Sequence, residues 1–355
     1  MRVAHVRERH GAAGAPWRLA AFAGADGASA SWLDLEVVRR RLIATDPRRA
    51  HNAILYRQPI TTLDDHLARG LRLEALGELV EAFAAAGGAR NPDDDAVLDA
   101  ADVAFGPPVL RPPSFRDFYA FEQHVATMWQ RRQSEIPEAW YRLPIFYFSN
   151  TSEIRGAGEP VWAPGGSTEL DFELEVGAIV DTPAFDLPEE RAAEAIGGYF
   201  VLNDWSARDL QRDETTVRLG PAKGKDFATT IGPWITTPDE LATALTPGAT
   251  GPDLAMTAIV RTGDESQGGV APVEISRGSW SSARFSFGAM LARACADVHV
   301  RPAELLGSGT VGGGCLLEVK DQTLGRWLEP GDQVVLSIER LGELRSPVVA
   351  RAARP

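Results

Sequence analysis

The sequence predicts a β-rich α+β protein in which a smaller N-terminal unit, residues 1–105, precedes a larger one spanning 106–355. Three observations lead there. Strand-like runs set between Gly/Pro turns dominate the chain after residue 105. Helical patterns in that part are few and do not alternate regularly with strands, which argues against a doubly wound sheet. A change of texture, together with the proline-rich FGPPVLRPPS, marks a boundary near residue 105.

In chain order, RVAHVRE, WRLAAFAG and ASWLDL read as short strands. LDDHLARGLRLEALGELVEAFAAAGG reads as a helical region, its leucines and alanines recurring at three and four residues before a Gly-Gly stop. GGARNPDDDAV is a polar, turn-forming loop. Ser114 before FRDFYAFEQHVATMWQRR reads as an N-cap, with Asp117 in capping-box position. LDFELEVGAIV, GGYFVLN, PWITT, LAMTAIVRTG, CLLEVK and DQVVLSIERLG read as strands, and SFGAMLARACADV as one intervening helix. No internal repeat is visible.

Composition narrows the function classes. With 44% hydrophobic and 24% charged residues and no run of eighteen apolar residues, the expectation is a soluble chain with no membrane span. MRVAHVRERHGAAG lacks the continuous apolar segment of a secretory signal. Cys295 and Cys315 have no metal-type spacing, so a reduced, cytoplasmic protein is expected. A net charge of −13 repels phosphate, which disfavours nucleic acid or an anionic membrane as partner and leaves small molecules and metal cations.

Five segments carry chemistry. In LDFELEVGAIV, Asp171, Glu173 and Glu175 alternate with apolar residues. They form either a solvated acidic face or a pocket in which neighbouring carboxylates need a cation. On the helix expected from Ser114, Asp117 and His124 lie seven apart, hence on one face and about 10 Å apart along the axis. Such a pair suits neighbouring roles, ligand and base, or simply a cap and an ordinary histidine. VLNDWSARDLQ ends a strand at Asp204, a functional position or an Asx turn. LGPAKGKDFATT places Lys223 and Lys225 on a Gly-rich loop that is no phosphate loop, and LLGSGTVGGGCLLEVK packs glycines around Thr310 before Glu318.

Taken in order, DFYAFEQH, LDFELE, NDWSARDLQ, GPAKGKDFATT and GSGTVGGGCLLE resemble the motif series of the fumarylacetoacetate hydrolase family, from about residue 105 to the C-terminus. The resemblance implies a mixed β-sandwich roll preceded by a smaller N-terminal domain, and a homodimer. It implies a divalent cation, Mg²⁺ or Ca²⁺ with Mn²⁺ as an alternative, held by Asp117, Glu173, Glu175 and Asp204. His124 matches the general base and Glu318 the acid that pairs with it. Tyr119, Tyr147, Arg208, Gln211, Lys225 and Thr310 match residues around the substrate, and Lys225 and Gln211 are expected to stabilise developing charge. Two departures stand out: RDETTVRLG has Thr215 and Thr216 where a substrate tyrosine is expected, and the basic residue after the histidine falls on Arg131 or Arg132.

The activity so implied is hydrolysis of a C–C bond in a 1,3-diketo acid, an acylpyruvate or fumarylacetoacetate-like substrate. The same site suits a decarboxylase, isomerase or hydratase of a 2-keto acid. A noncatalytic binder of small acids is the alternative from another class.

Overall fold

The computed structural model describes residues 1–12, 14–23, 31–88, 94–263 and 270–352; part of the loop expected over 87–97 lies outside them. Its strands are β1 (Arg2–Glu8), β2 (Arg18–Phe22), β3 (Ser31–Asp34), β4 (Val97–Asp99), β5 (Val103–Phe105) and β6 (Phe115–Phe118). Next come β7 (Phe146–Ser149), β8 (Ile154–Arg155), β9 (Leu170–Asp171), β10 (Leu174–Val180), β11 (Ile196–Asp204) and β12 (Ser206–Ala207). The last six are β13 (Thr229–Thr236), β14 (Ala255–Thr262), β15 (Val270–Ser279), β16 (Leu305–Gly307), β17 (Gln333–Ile338) and β18 (Gly342–Pro347).

Twelve strands form one sheet along the path β4-β3-β2-β1-β13-β11-β10-β16-β6-β7, with β5 beside β1 and β8 beside β13. The sheet is mixed, because β16 pairs with β6, and β8 with β13, in parallel. A four-stranded sheet, β15-β14-β17-β18, is separate, as is the short pair β12-β9.

The middle of the large sheet is buried on both faces, which explains why LEVGAIV reads as an almost continuous apolar run. On one side Leu174, Val176, Ala178 and Val180 join Met256, Ala258, Val260 and Leu336 of the four-stranded sheet in one core. On the other, Ile179, Phe200, Leu202 and Ile235 pack against Leu35, Leu42, Leu63, Leu76 and Leu79. Each Leu, Val, Ile, Phe or Met side chain among them contributes about 1.5–3 kcal/mol when fully buried.

The N-terminal residues are part of this construction. β1 pairs with β13, and the helices Leu35–Thr45, Leu63–Ala68 and Leu73–Ala85 cover the second face. The first of these went unread in the sequence, although Asp34 caps it by accepting from the N–H groups of Glu36 and Val37 at 3.0 and 3.2 Å. The Gly-Gly stop holds: Gly87 takes a positive φ of 85° and the Gly88 N–H closes on Phe83 O at 3.0 Å. No helix among the described residues is long and apolar enough to cross a membrane.

Two local expectations are corrected. Ser114 caps nothing; its hydroxyl donates to Glu304 Oε2 at 2.5 Å, and residues 115–118 form β6 between β16 and β7. All four β6 residues are buried and their backbone is paired on both edges, which a helix with one wet face could not match. The helix starts instead at Glu122 and runs to Arg131, so Asp117 and His124 do not share it. CLLEVK, expected as a strand, contains the short helix Leu316–Val319.

Candidate active site

Three carboxylates converge where the large sheet brings distant segments together. Asp117 on β6 lies opposite Gly307 of β16 and Tyr147 of β7, while Glu175 is the second residue of β10 and Asp204 ends β11. Asp117 and Asp204 are 2% and 0% exposed, and Asp171, Glu173 and Glu175 are 0%, 7% and 0% exposed, so the solvated-face reading fails for LDFELEVGAIV. Asp117, Glu175 and Asp204 each offer an oxygen within 4.8 Å of the others. One oxygen on each, Asp117 Oδ1, Glu175 Oε1 and Asp204 Oδ1, is buried without a hydrogen-bond partner. The companion oxygens are occupied. Tyr147 OH lies 2.6 Å from Asp204 Oδ2 and 3.2 Å from Asp117 Oδ2, and Gly309 N–H donates to Glu175 Oε2 at 3.0 Å.

Burial, reinforced by the neighbouring carboxylates, pushes Asp117 and Glu175 well above the usual carboxylate range. Acids this close cannot all ionise in a dry site without compensating charge. An all-oxygen donor set with three orphaned oxygens fits a hard divalent cation. Gly307 keeps the space clear: a β-carbon there would overlap Asp117 Oδ1 and stand 3.0 Å from Glu175 Oε2. Gly307→Ala is therefore expected to weaken Mg²⁺ or Mn²⁺ binding at least about tenfold, a loss of about 1.4 kcal/mol. A calorimetric titration with unchanged affinity would place the cation elsewhere.

Glu173 stands apart from this trio. Its Oε1 pairs with Arg208 Nη2 at 2.8 Å and its Oε2 with Lys225 Nζ at 2.7 Å. Burial acts to raise it, but Lys225, Arg208 and His124 outweigh that and hold it down to about 2. Lys225 is 4% exposed and also donates to Asp204 Oδ2 at 2.5 Å. Lys223, by contrast, is exposed and pairs with Asp226.

A second pair of groups lies beside the carboxylates. His124 Nδ1 is 2.5 Å from Glu318 Oε1, and Gly313 N–H donates to Glu318 Oε2 at 3.1 Å. Burial raises Glu318, but the hydrogen bond with His124 and its charge bring the acid below its ordinary value. The Tyr119 ring meets the His124 ring edge-on with centroids 5.3 Å apart.

Asp171, to which the sequence assigned no role, joins the two halves. It is fully buried and accepts from Arg208 Nε at 2.8 Å and from the Leu316 and Leu317 N–H groups at 2.8 and 2.9 Å. These amides open the helix that carries Glu318, and two unpaired N–H groups captured by a carboxylate favour a helix where a strand was expected. Asp171→Ala leaves Arg208 buried without its anchor, so a loss of about 3–5 kcal/mol is expected in denaturant unfolding. A change below about 1 kcal/mol would refute the anchoring role.

The remaining predicted residues are placed less centrally. Gln211 Oε1 accepts from Arg208 Nη1 at 2.9 Å, which leaves its amide N–H groups as donors. Thr310 is buried with its hydroxyl turned to Leu174 O at 3.3 Å. Arg131 is exposed and donates to the Glu318 backbone carbonyl at 3.3 Å, and Arg132, also exposed, lies over the Trp129 ring. Neither enters the carboxylate cluster. Thr215 and Thr216 are exposed and bond back to Arg212 O and Asp213 O.

Fold and site thus define a protein built around a candidate hard-cation centre with an adjoining His–Glu pair. Residues 114–349 match the family model described as fumarylacetoacetate (FAA) hydrolase C-terminal, and the chain belongs to the fumarylacetoacetate hydrolase family. It is 33% identical to a fumarylacetoacetase of Arabidopsis thaliana over 277 residues, 63% of this chain and 64% of that one. It is 29% identical to the fumarylacetoacetase of Homo sapiens over 236 residues, covering 59% and 55%. The chain thus spans less than two thirds of the length of these curated relatives. Among solved structures, a fumarylacetoacetate hydrolase from psychrophilic Exiguobacterium antarcticum superposes with a TM-score of 0.65 at 20% identity, covering 99% of this chain and 100% of the other. A 2-hydroxyhepta-2,4-diene-1,7-dioate isomerase from Mycobacterium marinum gives 0.60 at 19% identity with the same coverage. Both share the fold.

Proposed function

We propose that the protein hydrolyses a C–C bond in a 1,3-diketo acid, an acylpyruvate or a fumarylacetoacetate-like compound. The observation that carries this reading is the His124–Glu318 pair, 2.5 Å apart, lying close enough to the carboxylate cluster for His124 to act on Glu173 electrostatically. A divalent cation held by Asp117, Glu175 and Asp204, with Glu173 beside them, would supply Lewis-acid polarisation of the substrate oxygens.

With Nδ1 engaged by Glu318, the other ring nitrogen of His124 takes the proton from the attacking water, and the Glu318 carboxylate stabilises the imidazolium that forms. The tetrahedral adduct collapses to a carboxylic acid and an enolate. Lys225 and the amide N–H groups of Gln211 hold the developing negative charge, and Arg208, engaged by Asp171, Glu173 and Gln211, borders the substrate. His124 returns the proton to carbon as the enolate is quenched. Tyr119, Tyr147 and Thr310 line the substrate, and Arg131 or Arg132 meets its distal end. Residues 1–105 act as an accessory unit that shapes or covers the site, and the working assembly is a cytoplasmic homodimer.

The test is a panel of acylpyruvates and oxaloacetate assayed with Mg²⁺, Ca²⁺ or Mn²⁺ and again with EDTA. Cation-dependent release of two acids, or an acid and a ketone, is expected. Turnover of oxaloacetate alone would replace hydrolysis by decarboxylation. Tight binding with no turnover of any member would leave a noncatalytic acid-binding protein.

A further inference from the structure

We propose that His124, Cys315 and Glu318 form a second cation site, for a borderline-soft transition ion such as Zn²⁺, and that its occupation shuts off the His–Glu pair. The binding stands on geometry alone; the shut-off rests on the hydrolase reading above.

The three side chains bring one nitrogen, one sulfur and one oxygen donor within 4.8 Å of each other. Cys315 Sγ is 3.6 Å from Glu318 Oε1, and His124 Nδ1 is 2.5 Å from the same oxygen. Tetrahedral zinc, with bonds of about 2.0–2.3 Å, needs its ligands about 3.3–3.8 Å apart. The Cys–Glu spacing already fits. The His–Glu gap has to open by about 1 Å, and the remaining gap, within 4.8 Å, has to close by no more than about 1 Å. The loop that carries the cysteine is held in place, since Gly313 N–H donates to Glu318 Oε2.

Donor chemistry separates this site from the carboxylate cluster. Oxygen donors favour Mg²⁺, Ca²⁺ or Mn²⁺, whereas thiolate and imidazole favour Zn²⁺. Burial and nearby Asp171 push the Cys315 thiol well above its ordinary value, so it stays protonated until a cation compensates the thiolate. On binding, the thiol proton leaves to solvent and the sulfur lone pair goes to the metal. Coordination at Nδ1 puts the imidazole proton on the other ring nitrogen, the one that must accept a proton from water. Glu318 is taken up as a ligand at the same time, so base and partner are lost together.

The test uses the full chain, stripped of metal and then saturated with Mg²⁺, with Co²⁺ as optical probe. A near-ultraviolet sulfur-to-cobalt charge-transfer band is expected, bleached by Zn²⁺ and absent in Cys315→Ser. Cys315→Ala is the second variant, with circular dichroism checking that both fold. No band in the wild type overturns the site, as does a band that persists without Cys315, which would belong to Cys295. In the hydrolase assay, the Zn²⁺ concentration for half inhibition is expected to rise at least about tenfold in Cys315→Ser, relative to that variant's own zinc-free rate. Equal inhibition of both proteins overturns the shut-off. If no keto acid is turned over, the hydrolase reading fails while the cobalt band still decides the site.

Discussion

His124→Ala is expected to lower hydrolysis by about 10²–10⁴-fold while leaving cation affinity within a few-fold of the wild type. The separation follows from the geometry. His124 contributes to none of the three orphaned carboxylate oxygens, so its loss leaves the cation's oxygen donors intact. Among the described residues it is the imidazole paired with a buried acid beside the cluster, and on the proposed reading its loss removes the proton acceptor for water. Glu318→Gln keeps a hydrogen-bonding group against Nδ1 but removes the charge that stabilises the imidazolium, so a smaller loss is expected. Because the two residues act as a unit, the double variant should be scarcely slower than His124→Ala alone. Steady-state kinetics with parallel calorimetry on Mg²⁺ would check this. Retention of activity within about tenfold in His124→Ala would remove it as the base.

The residue types of the site were legible in the sequence; their joint geometry was only partly so. Alternation in LDFELE correctly singled out the acids, but the stretch is not one strand: Asp171 lies on β9, Glu175 on β10 and Glu173 between them, and periodicity cannot separate a wet face from a buried one. The difference is made by β6 and β11, whose Asp117 and Asp204 come from far along the chain. The helix expected from Ser114 failed for the same reason. A capping box is a local signal, and parallel pairing of β6 with β16 outweighs it. Glu318 was found, but in the wrong element, because the interaction that makes its segment helical is a carboxylate 145 positions earlier. Asp171 has no sequence signal of its own beyond belonging to the acid series. Its contacts with the Leu316 and Leu317 amides and with its arginine are all tertiary.

The same limit governs the N-terminal third. Its strands were readable as strands, yet nothing in RVAHVRE announces that it will extend the large sheet by pairing with β13. The family model begins at residue 114, but the core under the sheet is shared, with Val3, Leu19 and Leu33 in one cluster with Phe200, Leu202 and Ile235. Loss of the first hundred residues would expose that face, so any covering role they have at the site is inseparable from their role in the core.

Adding Mg²⁺ or Mn²⁺ to chelated protein is expected to raise its melting temperature, and Glu175→Gln is expected to do the same without any cation. Binding to the folded state alone stabilises by RT ln(1 + [L]/Kd), about 2.7 kcal/mol at a hundred times Kd. Without the cation, Asp117 and Glu175 titrate above ordinary carboxylates because they are buried beside one another and beside Asp204. The folded chain then binds more protons than the unfolded one, so stability falls as pH rises from the ordinary carboxylate range, about 4, through the raised values. A glutamine at 175 removes one charge, can still accept from Gly309 N–H, and can donate to the orphaned Asp117 oxygen. That replaces repulsion by a hydrogen bond to a charged group, worth about 1.5–3 kcal/mol. The variant should therefore melt higher than chelated wild type, most clearly above neutral pH, and should lose its response to added cation. Thermal unfolding of both proteins with EDTA and with Mg²⁺ at two pH values decides it. A wild type indifferent to cation, or a variant that keeps the response, would mean that these carboxylates hold no metal.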